Sequence, residues 1–128
     1  MSHIEEVRLM KKRAKAFFKR AIDSLNDGDY DIASFLAEQA VQLALKSLIL
    51  EKLGDYPRTH SLRRLVDLLG KFAEYRDLAE YLGENWRELR LMEDAYIASR
   101  YLLREYDRQE AEALIRLARG VLKRGGIL

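Results

Sequence analysis

The 128-residue chain is expected to fold as an all-α, up-and-down antiparallel bundle of four long helices plus one or two short ones. Three observations predict this. Apolar residues recur at helical spacings along the whole length, and no strand alternation is present. Glycine, asparagine, aspartate and the single proline gather at the junctions between periodic stretches, and the link at residues 26–29 is so short that the first two helices must be antiparallel neighbours. One stretch, residues 29–53, is apolar around roughly two thirds of its circumference, as a helix with neighbours on several sides must be.

Taken in order, Ser2 followed by Glu5 has the spacing of a capping box and starts the first helix. Val7, Met10, Ala14, Phe17, Phe18, Ala21 and Leu25 recur on an arc of about 100°. Arg8, Lys11, Lys12, Lys15 and Lys19 fill an equally narrow arc turned away from it, a basic outer ridge. Asn26, Asp27 and Gly28 stop this helix, and Asp29 is placed to cap the next.

Within residues 29–53, Ala33, Ala37, Ala40 and Ala44 fall at three- and four-residue steps and allow another helix to approach closely. Glu38, Gln39, Gln42 and Lys46 form a narrower polar strip, with Phe35 and Ile49 among them. Polar side chains on so apolar a helix need partners or water. The strip therefore lines a cleft or interface, with Gln39 and Lys46 foremost, or is a plain solvated edge.

The central helix ends near Gly54, and Asp55, Tyr56, Pro57 and Arg58 form a loop. Thr59 or Ser61 caps a third helix carrying Leu62, Leu65, Val66, Leu68 and Leu69, which frays around Gly70. A short helical piece over about residues 74–82 ends at Gly83. A longer helix over residues 84–103 carries Trp86, Leu89, Met92, Tyr96 and Ile97. Asp107 with Glu110 caps the last helix, which runs to Gly125 and Gly126. No repeat or composition break divides the chain, so residues 1–128 form a single domain.

Composition narrows the function. There is no cysteine, and the two histidines, His3 and His60, cannot by themselves make a familiar zinc set, so no metal and no cofactor is expected. A net charge of +2 is too mild to declare nucleic-acid binding without a concentrated patch. No uncharged run approaches the roughly 20 residues of a membrane span, and the N-terminus is charged, so no membrane role and a cytoplasmic location are expected. Two asparagines and three glutamines stand against 23 basic and 21 acidic residues, a bias that suggests a thermophile. Neither a glycine-rich phosphate loop nor a Walker pattern occurs.

Three stretches together carry a family resemblance. They are Gly28-Asp29-Tyr30-Asp31 running through Ala37-Glu38-Gln39-Ala40 to Ala44-Leu45-Lys46; Thr59-His60-Ser61-Leu62; and Tyr96-Ile97-Ala98-Ser99-Arg100-Tyr101. In this ordered combination the chain resembles the HEPN domain, the higher eukaryote and prokaryote nucleotide-binding family, in its small stand-alone prokaryotic or archaeal form. The resemblance implies a helical bundle that commonly forms a homodimer and is often encoded beside a minimal nucleotidyltransferase in a toxin-antitoxin-like pair. Some members are RNA-cleaving toxins and others only bind or scaffold.

The nuclease members carry an arginine followed four to six residues later by a histidine, at the base of a cleft between protomers. Arg100 matches the arginine, but positions 101–107 hold no histidine. In such an enzyme the imidazole moves a proton at the ribose 2′-hydroxyl while arginine stabilises the phosphate. Tyr106 is the stand-in within the window, a weak proton carrier at an ordinary pKa near 10. Arg100 is expected either to hold a phosphate or nucleotide through its planar fork or to pair with Glu105 or Asp94. Arg104 shares its face if the helix continues, with Tyr96 a turn before Arg100, a cationic pair beside an aromatic that suits stacking and phosphate contact; Tyr96 taken alone reads as core packing, and Tyr101 is open to either part. His60 is expected to order its loop by hydrogen bonding. The basic ridge of the first helix either tracks an RNA backbone or is simply solvated.

The expected function is a non-enzymatic binding module for a nucleotide, RNA or a partner nucleotidyltransferase, with Arg100, Arg104, Tyr101, Gln39 and Lys46 at the ligand. The alternatives are a metal-independent endoribonuclease toxin using Arg100 and Tyr106, and an assembly scaffold without a ligand.

Overall fold

The computed structural model describes residues 3–98 and 104–128, and among these it is entirely helix and connecting loop. Six helices follow in order: α1 (His3–Asn26), α2 (Tyr30–Leu53), α3 (Leu62–Leu69), α4 (Arg76–Glu84), α5 (Trp86–Ala98) and α6 (Arg108–Arg124). The expected bundle of four longer and two shorter helices is what forms. The proposed Ser2 cap lies outside the described residues.

The hairpin of α1 and α2 turns on Gly28, whose φ of +83° is the left-handed conformation that glycine reaches without strain. The amides of Gly28 and Asp29 bond back to the carbonyls of Leu25 and Ser24 at 3.0 and 2.9 Å, closing α1. Asp29 does not cap α2 with its side chain, contrary to expectation. Its own amide is committed to closing α1, and its ψ of 73° lies outside the extended range in which a cap carboxylate reaches the next turn. At the other end of the hairpin Gly54, at φ +78°, closes α2 by donating to Leu50, and the imidazole of His3 lies against it. The start of α1 is thus tied down.

α2 packs against α1, α3, α5 and α6 and runs through the middle of the bundle. Ala33, Ala37, Ala40 and Ala44 are all fully buried, and Val41, Leu45 and Leu48 fill the remaining core face. Ile49, on the same side as the polar strip, is fully buried as well, so α2 is enclosed almost all round. By length and composition α2 is apolar enough to cross a membrane, contrary to the sequence reading; the same property follows from its place at the centre of a packed bundle.

The remaining elements are laid around that axis. Ser61 caps α3 by accepting from the Arg64 amide at 3.2 Å, while Thr59 Oγ1 accepts from the Ser61 amide at 3.1 Å and shapes the approach. A short 3-10 turn, Ala73–Tyr75, leads into α4. That helix ends not at Gly83 but a residue beyond, where Asn85 donates both its backbone and side-chain N–H to the Tyr81 carbonyl. α6 opens with the expected capping box, Glu110 amide to Asp107 at 2.8 Å and Asp107 amide to Glu110 at 3.0 Å. It crosses α4 so closely at Gly120 that any β-carbon there would collide with the Tyr81 ring.

Candidate functional site

The polar strip of α2 is a connected network centred on Glu38, which has no exposed surface. Its carboxylate accepts from Gln39 Nε2 at 2.8 Å and from Gln42 Nε2 at 2.9 Å. The same Gln42 nitrogen donates to the backbone carbonyl of His60 at 2.6 Å, tying the loop before α3 to the helix behind it. Because that carbonyl can only accept, it fixes the Gln42 amide with its NH₂ toward Glu38. Gln42 Oε1 is left buried without a hydrogen-bond partner.

Burial drives the Glu38 carboxyl up from its usual range to about 7, against the pull of Gln42, Gln39 and Lys46, with Glu93 of α5 pushing the same way as burial. A carboxyl so placed changes charge near neutral pH. The Lys46 ammonium is held below its ordinary value by burial and by Arg58, with Glu38 acting in the opposite sense. Tyr56 lies between these cations, its ring 5.9 Å from Lys46 Nζ and 4.3 Å from the Arg58 guanidinium carbon.

His60 completes the cluster. Its ring stacks on Tyr96 of α5 at a centroid distance of 4.3 Å, with Tyr96 Oη 3.0 Å from Nε2. The loop residue thus bridges α2, through its carbonyl, and α5, through its ring. This is the loop-ordering part expected of it.

The second group of candidates lies in the link between α5 and α6. Arg100 and Tyr101 fall outside the described residues. Arg104 is not on a helix, so the face it was expected to share with Tyr96 does not form. Its guanidinium instead pairs with Glu110 Oε2 at 2.7 Å and lies 4.1 Å from the Tyr106 ring. One of its nitrogens, Nη1, is buried without a partner. Tyr106 is a core residue whose hydroxyl donates to the Leu91 carbonyl at 3.1 Å, and burial raises its pKa further. A phenol in that state is a structural strut rather than a proton carrier. Its amide donates to Asp31 Oδ1 at 2.6 Å, fastening the link to the first turn of α2.

A family model described as HEPN domain matches residues 7–127. The chain belongs to the HEPN domain family. A solved structure, that of TT1696 from Thermus thermophilus, is 31% identical, with 94% of this chain and 95% of that one covered and a TM-score of 0.72. No curated protein matches.

As a HEPN domain the chain is a nucleotide- or RNA-related module. Of the residues singled out from its sequence, the structure brings Gln39 and Lys46 to one place, around Glu38, and sets Arg104 and Tyr106 in another. Sequence reasoning undervalued Glu38 itself and the pairing of His60 with Tyr96. The signal for the first was available, since an ionisable group among alanines on the most apolar helix must be networked or neutral. The second had none, because 36 positions separate the two rings. Also unforeseen is an open groove of about 520 Å³ between α3, α4 and α5, lined by Arg63, Val66, Leu82 and Trp86, where the Arg63 guanidinium lies 4.0 Å from the indole.

Proposed function

We propose that this HEPN domain is a binding module that holds a nucleotide or an RNA end without cutting it, as a homodimer and in company with a minimal nucleotidyltransferase. The observation that supports this is the arginine of the nuclease motif, Arg100, standing in a sequence with no histidine from 101 to 107. The in-window substitute, Tyr106, is spent on the Leu91 carbonyl. The ligand face draws on Arg100 and Tyr101 with Gln39 and Lys46 of the α2 network. Arg104, already paired with Glu110, steadies the turn that opens α6.

The test is calorimetric titration with AMP, ATP and a short RNA, together with gel analysis of the RNA after long incubation. Saturable binding that Arg100→Ala abolishes, with the RNA intact and light scattering at the dimer mass, is the expected result. Absence of binding by all three ligands would leave only a scaffold.

One observation favours a second reading, a metal-independent endoribonuclease. The His60 imidazole lies against Tyr96 of α5, four positions before Arg100 in sequence, although no histidine follows Arg100 in the motif window. In that reading His60 takes the ribose 2′-hydroxyl proton, the oxygen attacks phosphorus, and the 5′-oxygen leaves with a proton, giving a cyclic phosphate. RNA cleavage lost in both His60→Ala and Arg100→Ala would establish it in place of the first.

A further inference from the structure

The outer face of α1 is arranged in a way its own stability does not explain. From Val7 to Ile22 the chain carries seven basic residues and no acidic one, so the net charge of +2 divides into +7 on this segment and −5 on all the rest. A helix built only to be solvated mixes signs at i and i+4, each such pair contributing a few tenths of a kcal/mol. Here Arg8–Lys12, Lys11–Lys15 and Lys15–Lys19 are like-charged at that spacing and repel. Lys11 finds a carboxylate, Glu51 at 3.3 Å. Arg8, Lys12, Lys15 and Lys19 are exposed, and no carboxylate among the described residues pairs with them.

The four lie in a straight row at steps of four, three and four residues, about 16 Å from end to end at about 1.5 Å per residue. Arg119 of α6, whose guanidinium lies 5.3 Å from the ring of Phe18, belongs to the core side of α1 and is not part of the row. One strand of a duplex presents about five phosphates over the same length. The match is in spacing and in charge.

We propose that the outer face of α1 is a docking surface for the phosphodiester backbone of a nucleic acid. It reads charge and not sequence, since no aromatic side chain stands in the row to stack on a base. A protein partner does not fit: interface centres are depleted of lysine and need apolar anchors, and the row offers none. A membrane does not fit either, because the apolar face of α1, including Val7, Met10 and Phe18, is committed to the core. Ile4, exposed a turn before Arg8, is a single side chain and no patch. The surface is separate from the Glu38 cluster and does not depend on the function proposed above.

The experiment is fluorescence anisotropy with a labelled 20-nucleotide RNA, the same sequence as duplex DNA, and phosphatidylserine vesicles. Binding of both nucleic acids is expected to weaken about a hundredfold between 50 and 200 mM salt. The double variant Lys12→Glu/Lys15→Glu should lose tenfold or more at 50 mM salt and show a shallower salt slope. Arg87→Glu/Arg90→Glu on α5 makes the same change in net charge and should stay within threefold of the parent. AMP binding and its response to Arg100→Ala should be unchanged by the α1 variant, which separates this surface from the nucleotide site. Equal losses in the two double variants, salt-insensitive binding, or capture of vesicles but of neither nucleic acid would overturn the proposal.

Discussion

α1 and α2 are both 24 residues long and lie side by side, yet they carry their polar side chains in opposite ways. α1 sets its cations on the outside, where water screens them and little is gained or lost. α2 carries Glu38, Gln39, Gln42 and Lys46 toward its neighbours, and there the Glu38 carboxylate is answered by two amides and the Gln42 amide nitrogen by a loop carbonyl, leaving Gln42 Oε1 buried and unanswered. A buried polar group acts on stability through its partners and its proton, whereas an exposed row of charge is felt mainly by whatever arrives from outside.

The sharpest test of that contrast is pH. Glu38 holds its proton to about pH 7 in the folded chain, against a usual 4.5 when unfolded. Between those values the folded state binds the extra proton, so this group lowers stability as pH rises through the window and contributes a level penalty above it. The whole effect is about 3 kcal/mol at about 1.4 kcal/mol per pH unit. Urea midpoints measured from pH 4 to 8 should therefore fall more steeply for the parent than for Glu38→Gln, whose side chain does not titrate. Parallel curves for the two proteins would show that the carboxyl is not neutralised by burial.

Next in size is Gln42→Ala, which removes a donor from Glu38 and leaves the His60 carbonyl unanswered. A loss of about 2 kcal/mol is expected, larger at pH 8, where Glu38 is charged, than at pH 5. The loop between α2 and α3 should become more open to proteases in the same variant, and equal protection would show that Gln42 does not hold it. The smallest effect belongs to α1. Lys15→Glu places an acid between Lys11 and Lys19 and should stabilise by about 0.5 kcal/mol or less, a small rise in the thermal midpoint. A clear loss would mean that Lys15 has an internal partner.

The periodic parts of this fold were legible. The alanine line of α2, the Ser61 cap and the Asp107–Glu110 box stand where residue type and spacing put them, because each is set within a turn or two of helix. What escaped depends on the neighbour rather than on the pattern. Asn85, not Gly83, ends α4, since a side chain that reaches the Tyr81 carbonyl satisfies the helix end better than a flexible residue does. Gly120, which carries no signal in the sequence, is the point where α6 passes Tyr81. Arg104 was placed on a helical face only if the helix ran beyond residue 103; it lies off the helix instead, drawn to Glu110 in the turn of α6 that the capping box orders. His60 was correctly read as ordering its loop, while the ring it rests on lies too far along the chain to be foreseen.

The all-round apolarity of α2 reaches back to the moment of synthesis. Leu48 lies against the segment at Gly125, which leaves the ribosome after the other described helices. Until then the nascent chain offers chaperones and lipid a helix with the hydrophobicity of a membrane anchor and one flank uncovered. A chain ending at residue 98 should therefore aggregate or enter detergent micelles where the whole chain stays dispersed, and a monodisperse folded fragment would show that the flank closes without α6. α6 is in this sense what covers a flank that the helices before it leave sticky.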